Sequence, residues 1–410
     1  MNRYAESQAD GRCVTILSIP FDFFLARIVF IVVVLAFISA DLLRAEQPLI
    51  QTKFGLFQQG LATLGLPSAE ATNAIAYYAT GAFAHYNHHP AIINFHNKFY
   101  LMWSSGIVDE DSSSQQITFA TSPDGEHWSP WKVFAADPDG PAGPMRRTAG
   151  GWWIANDTLY ASFATHYGTI EGSKPSAQVW AGDCALEFTS SSDGVNWSSA
   201  QPMINQFMPN EAPRWDGKYW IITGEDNFGV SKVLYTSDPS GVHDWRRSIL
   251  PPDLTGKEPN EPSWFRRSDG SMIMIFRDDN RSRRLFASLS TNAGVSWSRP
   301  QKTGFADVAA KVRAGNLPDG EAYIINNPNT NPNGVRIPLV ISISRDGLLF
   351  DRSYTIRSEP THMRFGGLNK SDGYSYPSSV IFGDSLYVAY SINKEDIAVS
   401  RIPLSRIEEQ

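Results

Sequence analysis

The chain is poor in cysteine, in long apolar runs and in positive charge, and each shortage closes off a class of protein. Only two cysteines occur in 410 residues, Cys13 and Cys184, so no disulfide framework holds the fold. Lysine and arginine number 35 against 42 aspartates and glutamates, for a formal charge of −7. With no basic stripe interleaved with aromatics, this balance argues against a nucleic-acid role. An anionic ligand would have to be held by local arginines against the overall field. No His/Cys/Asp spacing matches a zinc site, and calcium and glycine-rich phosphate loops are missing too, so neither metal nor cofactor is expected.

What is present is aromatic and turn-rich. Twelve tryptophans, 31 glycines and 26 prolines suit many short strands joined by tight turns. Five times a β-prone run ends in a Ser/Asp-turn-aromatic hook: SPDGEHW from Ser122, SSDGVNW from Ser191, SDPSGVHDW from Ser237, STNAGVSW from Ser290 and SRDGLLF from Ser344. In each, the Asp or Asn can accept local backbone N–H groups while the aromatic buries its ring between sheets. Apart from a longer first interval the hooks recur about every 50 residues, the period of propeller blades. The expectation is an all-β, six-bladed β-propeller of four-stranded antiparallel blades over residues 85–410, or seven blades if Leu49 to Phe83 forms more than one strand.

Blade one is expected over His88 to Phe134 and blade two over Arg146 to Met203, with an insertion at Gly168 to Ala181 containing Trp180. Blades three, four and five follow over Glu211 to Leu250, Glu261 to Thr303 and Lys311 to Ile356. Blade six, Tyr376 to Leu404, lacks a hook, and a strand within the 46–84 linker is expected to complete it, leaving no open edge.

Ahead of this lies the chain's one long apolar run, Ile28 to Ile38 (IVFIVVVLAFI) after Arg27. It is short for a bilayer span and suits a signal h-region, with Ala40 or Ala45 before the cleavage point. Residues 1–45 are therefore read as a signal peptide or an uncleaved membrane anchor, and the propeller as exported: periplasmic, secreted or anchored outside the cytoplasm.

In a propeller the inner-strand starts and second-strand loops gather at one face. Here the starts read NHHP (Asn87), MRR (Met145), NEAPR (Asn210), NEP (Asn260), KVR (Lys311) and YPS (Tyr376), and the loops carry Asp109-Glu110-Asp111, His166, Glu225-Asp226, Arg277-Asp278-Asp279 and Lys394-Glu395. Pooled, they imply a polar binding site, with Arg147, Arg214, Glu211 and Arg313 read as further substrate-binding groups.

From His85 to Leu404 the chain resembles the sialidase superfamily of hydrolases with Asp-box propellers. NEPSWFRRSDGSMIMIFR puts Glu261 and Arg277 where such enzymes place a catalytic Glu and the second arginine of a carboxylate-binding triad. NNPNTNPNGVRIPLVISISRDG puts Arg336 at the third arginine, and YPSSVIFGDSLYVAY puts Tyr376 at the nucleophilic tyrosine. The resemblance implies that Glu261 takes the Tyr376 proton, that Arg277 and Arg336 grip a substrate carboxylate, and that one of Asp109, Glu110 and Asp111 protonates the leaving oxygen. A neutral phenol also avoids the repulsion a carboxylate nucleophile would meet beside the sugar's own carboxylate.

One departure stands out. His88-His89-Pro90 occupies the place where sialidases open blade one with Arg-Ile-Pro, so the first arginine of the triad is missing. The HHP opening also looks like related propellers that cleave rhamnose–glucuronate linkages, some by β-elimination, where His88, His89 or Tyr376 would move the proton. Three functions follow: an exo-acting glycoside hydrolase on an acidic oligo- or polysaccharide, a uronate-specific lyase, and a non-catalytic glycan-binding propeller. For Arg277 the structural alternative is a surface pair with Asp278 or Asp279; for Tyr376 it is a core aromatic.

Overall fold

The computed structural model describes residues 48–140, 143–167, 184–226, 229–251 and 259–408. The expected signal or anchor segment and the Gly168 to Ala181 insertion lie outside the described residues. Within them the chain forms six blades of antiparallel strands in a β-propeller, so the count is six and not seven. Apart from a 3₁₀ turn at Leu404–Arg406, the described secondary structure is all β.

Blade one comprises Tyr86–Phe95, Lys98–Gly106, Gln116–Ser122 and Lys132–Ala135, and blade two Gly143–Ala155, Thr158–Tyr167, Ala185–Ser191 and Gln201–Asn205, with a short flanking strand Asp139–Gly140. Blade three runs Met208–Trp215, Trp220–Glu225, Ser231–Thr236 and Arg246–Arg247, and blade four Asn260–Arg266, Met272–Arg277, Arg284–Ser290 and Gln301–Ala306. Blade five runs Arg313–Asn316, Ala322–Asn326, Leu339–Ser344 and Arg352–Arg357. Blade six takes three strands from the C-terminal end, Tyr374–Phe382, Ser385–Ile392 and Asp396–Pro403. Its outer strand is Thr72–Tyr77, antiparallel to Asp396–Pro403 with Thr72 opposite Arg401. The two ends of the propeller thus share one sheet.

The core lies between blades. Ile92, Phe99, Leu101 and Trp103 of blade one pack with Tyr387, Ala389 and Val399 of blade six. Phe265, Ile273 and Ile275 of blade four meet Ala314 and Ile324 of blade five. A second strand covered on both faces needs apolar side chains on both, which is why Ser385–Ile392 is buried at every position and reads SLYVAYSI, without alternation. Each fully buried Val, Leu, Ile or Phe stabilises by about 1.5–3 kcal/mol, so these interfaces, and not surface ion pairs, hold the ring.

The hooks behave as their composition dictates. Asp193 Oδ1 accepts from the N–H groups of Val195 and Asn196 at 2.8 and 2.7 Å, and Asp346 Oδ1 from those of Leu348 and Leu349 at 2.7 and 3.0 Å. Their aromatics enter the inter-blade cores: Trp297 sits with Ile221 and Val233 of the preceding blade, and Phe350 with Phe265 and Phe305. Gly194 is obligatory in its turn, since φ is +69° and an added Cβ would fall 1.9 Å from the Tyr100 hydroxyl.

Candidate functional site

Three inner strands break register around a proline that follows a left-handed residue. The shifts fall between His88 and Ala91, Asn260 and Ser263, and Ser375 and Ser378. At these bulges His89, Glu261 and Tyr376 take left-handed backbone conformations, with φ of 55°, 50° and 57°. A following proline steers its predecessor away from the right-handed helical region, and the bulge re-aims that residue. Each such conformation costs on the order of 1–3 kcal/mol, and these three residues meet at one place in the ring.

That place is where the chemistry gathers. The Tyr376 hydroxyl donates to Glu261 Oε1. Arg277, directly opposite Asn260 in blade four, reaches Glu261 Oε2 at 2.7 Å and the Tyr376 oxygen at 3.2 Å. Its Nε lies 3.0 Å from Asp279. Asp278 instead caps its own loop through the N–H groups of Asn280 and Ser282. Arg336 is held by Ser375 Oγ at 3.0 Å, its guanidinium 5.5 Å from the Tyr376 ring centre. Tyr376, Arg277 and Arg336 line a cavity of about 350 Å³ with Glu110 and Lys394. Glu261, Arg277, Arg336 and Tyr376, spread over 116 residues, thus meet at one spot.

Burial, together with Glu261 and Glu110, holds the Tyr376 phenol well above its ordinary pKa. Burial pushes the Glu261 carboxyl up, but Arg277 and the Tyr376 hydrogen bond outweigh it and leave the pKa below the usual value. At rest the proton belongs to the tyrosine.

The three acids of the blade-one loop separate, because consecutive residues of a turn cannot face one way. Asp109 is buried and accepts from the Leu368 N–H at 2.7 Å. Asp111 pairs with buried Arg146. Glu110 alone of the three lines the cavity, accepting from the Tyr86 hydroxyl at 3.0 Å and from Lys394 Nζ at 2.7 Å. Asp109 and Asp111 therefore do not line this cavity.

His88 and His89 flank the tyrosine, with ring centres 4.0 and 5.1 Å from that of Tyr376. Burial lowers both pKa values well below the ordinary histidine range, reinforced by Lys394 at His88 and by Lys311 at His89. Both rings are neutral at physiological pH. His88 Nδ1 meets Ser391 Oγ at 2.7 Å, while His88 Nε2 and His89 Nδ1 have no hydrogen-bond partner among the described residues. Donor atoms of His88, His89 and Glu110 lie within 4.8 Å of one another. A divalent ion would nevertheless suit this set poorly, since Lys311, Lys394, Arg146 and Arg336 repel positive charge there and Lys394 already holds the Glu110 carboxylate.

The other residues read as substrate-binding do not line this cavity. Arg214 bonds the carbonyls of Ala314 and Trp264 at 3.0 and 2.9 Å and stacks on the Trp264 ring. Arg313 pairs with Glu211 and reaches Ser379 Oγ at 3.1 Å. Together Arg214, Glu211 and Arg313 brace the axial channel between blades. Arg147 reaches Thr165 and lies over Phe163, facing the groove between blades one and two. Strand alternation explains the last: Arg146 and Arg147 point to opposite faces, and Arg146 takes the inward one. Conversely Lys394 and Lys311, pooled above with the polar strand starts and loops, have no individual role assigned from sequence, and Arg281 and Arg283 are not singled out there. Lys394 and Lys311 had the same signal as their neighbours, a charged residue at a strand start or second-strand loop.

Half-buried Glu225 lies nearby. Burial, then the charges of Glu261 and Asp279, raise its pKa to about 8. A carboxyl whose folded pKa is raised contributes stability that is full below its unfolded pKa of about 4.3 and lost as pH rises through about 8. Glu225→Gln, which keeps the shape of the protonated acid, is expected to melt with wild type at pH 4 and several degrees above it at pH 8. Parallel melting curves across that range would refute a protonated Glu225.

A model described as BNR repeat-like domain matches residues 97–388. No curated protein matches. Among solved structures, a sialidase superposes with a TM-score of 0.65 at 19% identity, over 87% of this chain but only 35% of its own. A Trypanosoma rangeli sialidase in complex with 2,3-difluorosialic acid gives 0.60 at 13%, over 83% of this chain and 60% of its own. The intramolecular trans-sialidase from Ruminococcus gnavus gives 0.60 at 13%, over 86% of this chain and 100% of its own.

Proposed function

Since the chain belongs to the BNR repeat-like domain family and has a sialidase-like propeller fold, we propose that it is an exo-acting glycoside hydrolase releasing a terminal unit from a carboxylate-bearing glycan. The carrying observation is the Tyr376–Glu261–Arg277 constellation: a phenol donating to a carboxylate, with one guanidinium bonded to both. Arg277 and Arg336 would take the substrate carboxylate, their planar forks matching its two oxygens.

In this reading the Tyr376 oxygen bonds the anomeric carbon as the glycosidic C–O bond breaks. The phenolic proton passes to Glu261, and the leaving oxygen takes a proton from Lys394 relayed through the Glu110 carboxylate it holds. Because Tyr376 sits well above, and Glu261 below, its ordinary pKa, a free phenolate is costly. Proton transfer is therefore concerted with bond formation, when the developing charge is shared with the sugar. Burial lowers the Lys394 pKa and so makes it the readier proton donor. Water then attacks the anomeric carbon, its proton returning through Glu110 to Lys394, while the tyrosyl C–O bond breaks and Tyr376 recovers its proton from Glu261. Residues 1–45 serve as the export signal or anchor, placing the propeller outside the cytoplasm.

The neutral His88/His89 pair favours a second reading, elimination from a uronate. Either ring could remove the proton beside a carboxylate neutralised by the arginines. Incubation with oligosaccharides capped by sialate or uronate separates the two. Hydrolysis releases a sugar without new absorbance, whereas elimination leaves an unsaturated uronate that absorbs in the near ultraviolet. Binding of these glycans without turnover would establish a binding module instead.

A further inference from the structure

The cavity holds more positive charge than one carboxylate needs. Six cations line it, Arg277, Arg281, Arg283, Arg336, Lys370 and Lys394, against the single acid Glu110. Arg277 is matched by Glu261 and Asp279, Lys394 by Glu110 and Lys370 by Glu395. Arg281, Arg283 and Arg336 pair with no carboxylate among the described residues. Three uncompensated guanidiniums in one pocket of a chain with charge −7 repel one another unless a ligand brings anions.

Two of the three are built to stay. Arg281 and Arg283 both take left-handed backbone conformations, φ 55° and 63°, in a loop capped by buried Asp278. The Arg283 guanidinium is braced by the carbonyls of Val308 and Pro332 at 3.0 and 2.9 Å. Arg281 is exposed while Tyr376 is buried, so the cavity runs from the tyrosine outward to this pair.

The geometry points to a second anion subsite at the cavity mouth, in which Arg281 and Arg283 take a further anionic substituent, a sulfate ester or second carboxylate, on the sugar next to the terminal acidic unit. This rests on the reading of the pocket as a glycan site and narrows its ligands to glycans with at least two neighbouring negative charges. About 350 Å³ is at the small end of ligand cavities, enough for the terminal unit and little more, which puts the second sugar at the rim.

Calorimetric titration of the full chain with three probes tests it: a disaccharide with a terminal glucuronate and a neutral second sugar, the same disaccharide sulfated on its second sugar, and a diuronate. Wild type is expected to bind at least one doubly charged probe about tenfold more tightly than the singly charged one, as one charge-assisted contact implies, with a preference that shrinks at high salt. Which of the two is preferred identifies the second anion. Arg281→Glu, an exposed change that leaves the Arg283 brace intact, should reduce that preference to threefold or less. Equal affinity for singly and doubly charged probes in wild type, or an unchanged preference in Arg281→Glu, would overturn the subsite while leaving the primary pocket standing. Failure of all three probes to bind would overturn the subsite, and failure of sialate-capped glycans as well would remove the primary pocket.

Discussion

Tyr376→Phe is expected to lower turnover of a carboxylate-capped glycan by about a thousandfold or more, because it deletes the one atom placed to form the covalent link. The ring stays packed against His88 and His89, so the fold should survive. What is lost is a buried hydrogen bond, leaving Glu261 Oε1 without its donor, a cost of about 1–3 kcal/mol and a fall of a few degrees in melting temperature. Substrate affinity should persist, since Arg277 and Arg336 remain. Turnover within tenfold of wild type would remove Tyr376 from the chemistry and shift the case to the histidines. The measurement is initial rate and binding constant on the same preparation, with the melting curve as control for folding.

Arg277→Ala should have the second largest effect, on activity and stability together. In the proposed reading it removes one of the two forks for a substrate carboxylate, and it leaves buried Glu261 with Tyr376 and the more remote Lys311. Removing one partner of a buried ion pair costs about 3–5 kcal/mol, and Arg277→Lys, which keeps the charge but loses the fork, should recover part of it. The sign with pH follows from Glu261. In wild type its folded pKa lies below the unfolded one, so it contributes stability that is present above the unfolded pKa and lost as pH falls through the folded value. Without Arg277, burial is the dominant influence and the pKa rises, so an ionised Glu261 destabilises the variant above the unfolded pKa. The gap in melting temperature between wild type and Arg277→Ala should be widest near neutrality and narrow toward pH 4. The acid limb of the rate profile should move to higher pH in Arg277→Lys if the weaker contact fails to hold Glu261 ionised. A gap independent of pH would mean that Glu261 does not carry the coupling.

The parts of the fold legible beforehand were those written in local pattern. A hook such as Ser191 to Trp197 closes on itself through Asp193 and two following N–H groups, so its residues alone specify its turn, and five of them set the blade period. Apolar second strands such as Ser385–Ile392 announced a sheet covered on both faces. The role of Thr72–Tyr77 as the outer strand of blade six was predictable only as a topological need: an unpaired edge had to be closed. The short strand Gln51–Thr52, parallel to Leu349–Phe350 at the fifth hook, carried no such signal, since two residues are too few for a period.

The site divides differently. That Glu261, Arg277, Arg336 and Tyr376 meet at one spot could be read from polar residues at strand starts and strand ends, because those positions face the axis in any propeller. Which charged residue at each start turns inward was decided by tertiary structure alone. Bulges before Pro90, Pro262 and Pro377 aim His89, Glu261 and Tyr376; Arg146 turns in where Arg147 turns away; Glu110 faces the cavity while Asp109 and Asp111 are consumed in packing. The physical reason is that a strand's composition specifies its pairing and its buried faces, whereas a side chain's direction at a bulge, and the charge it meets there, depend on five other blades whose distance no local pattern records.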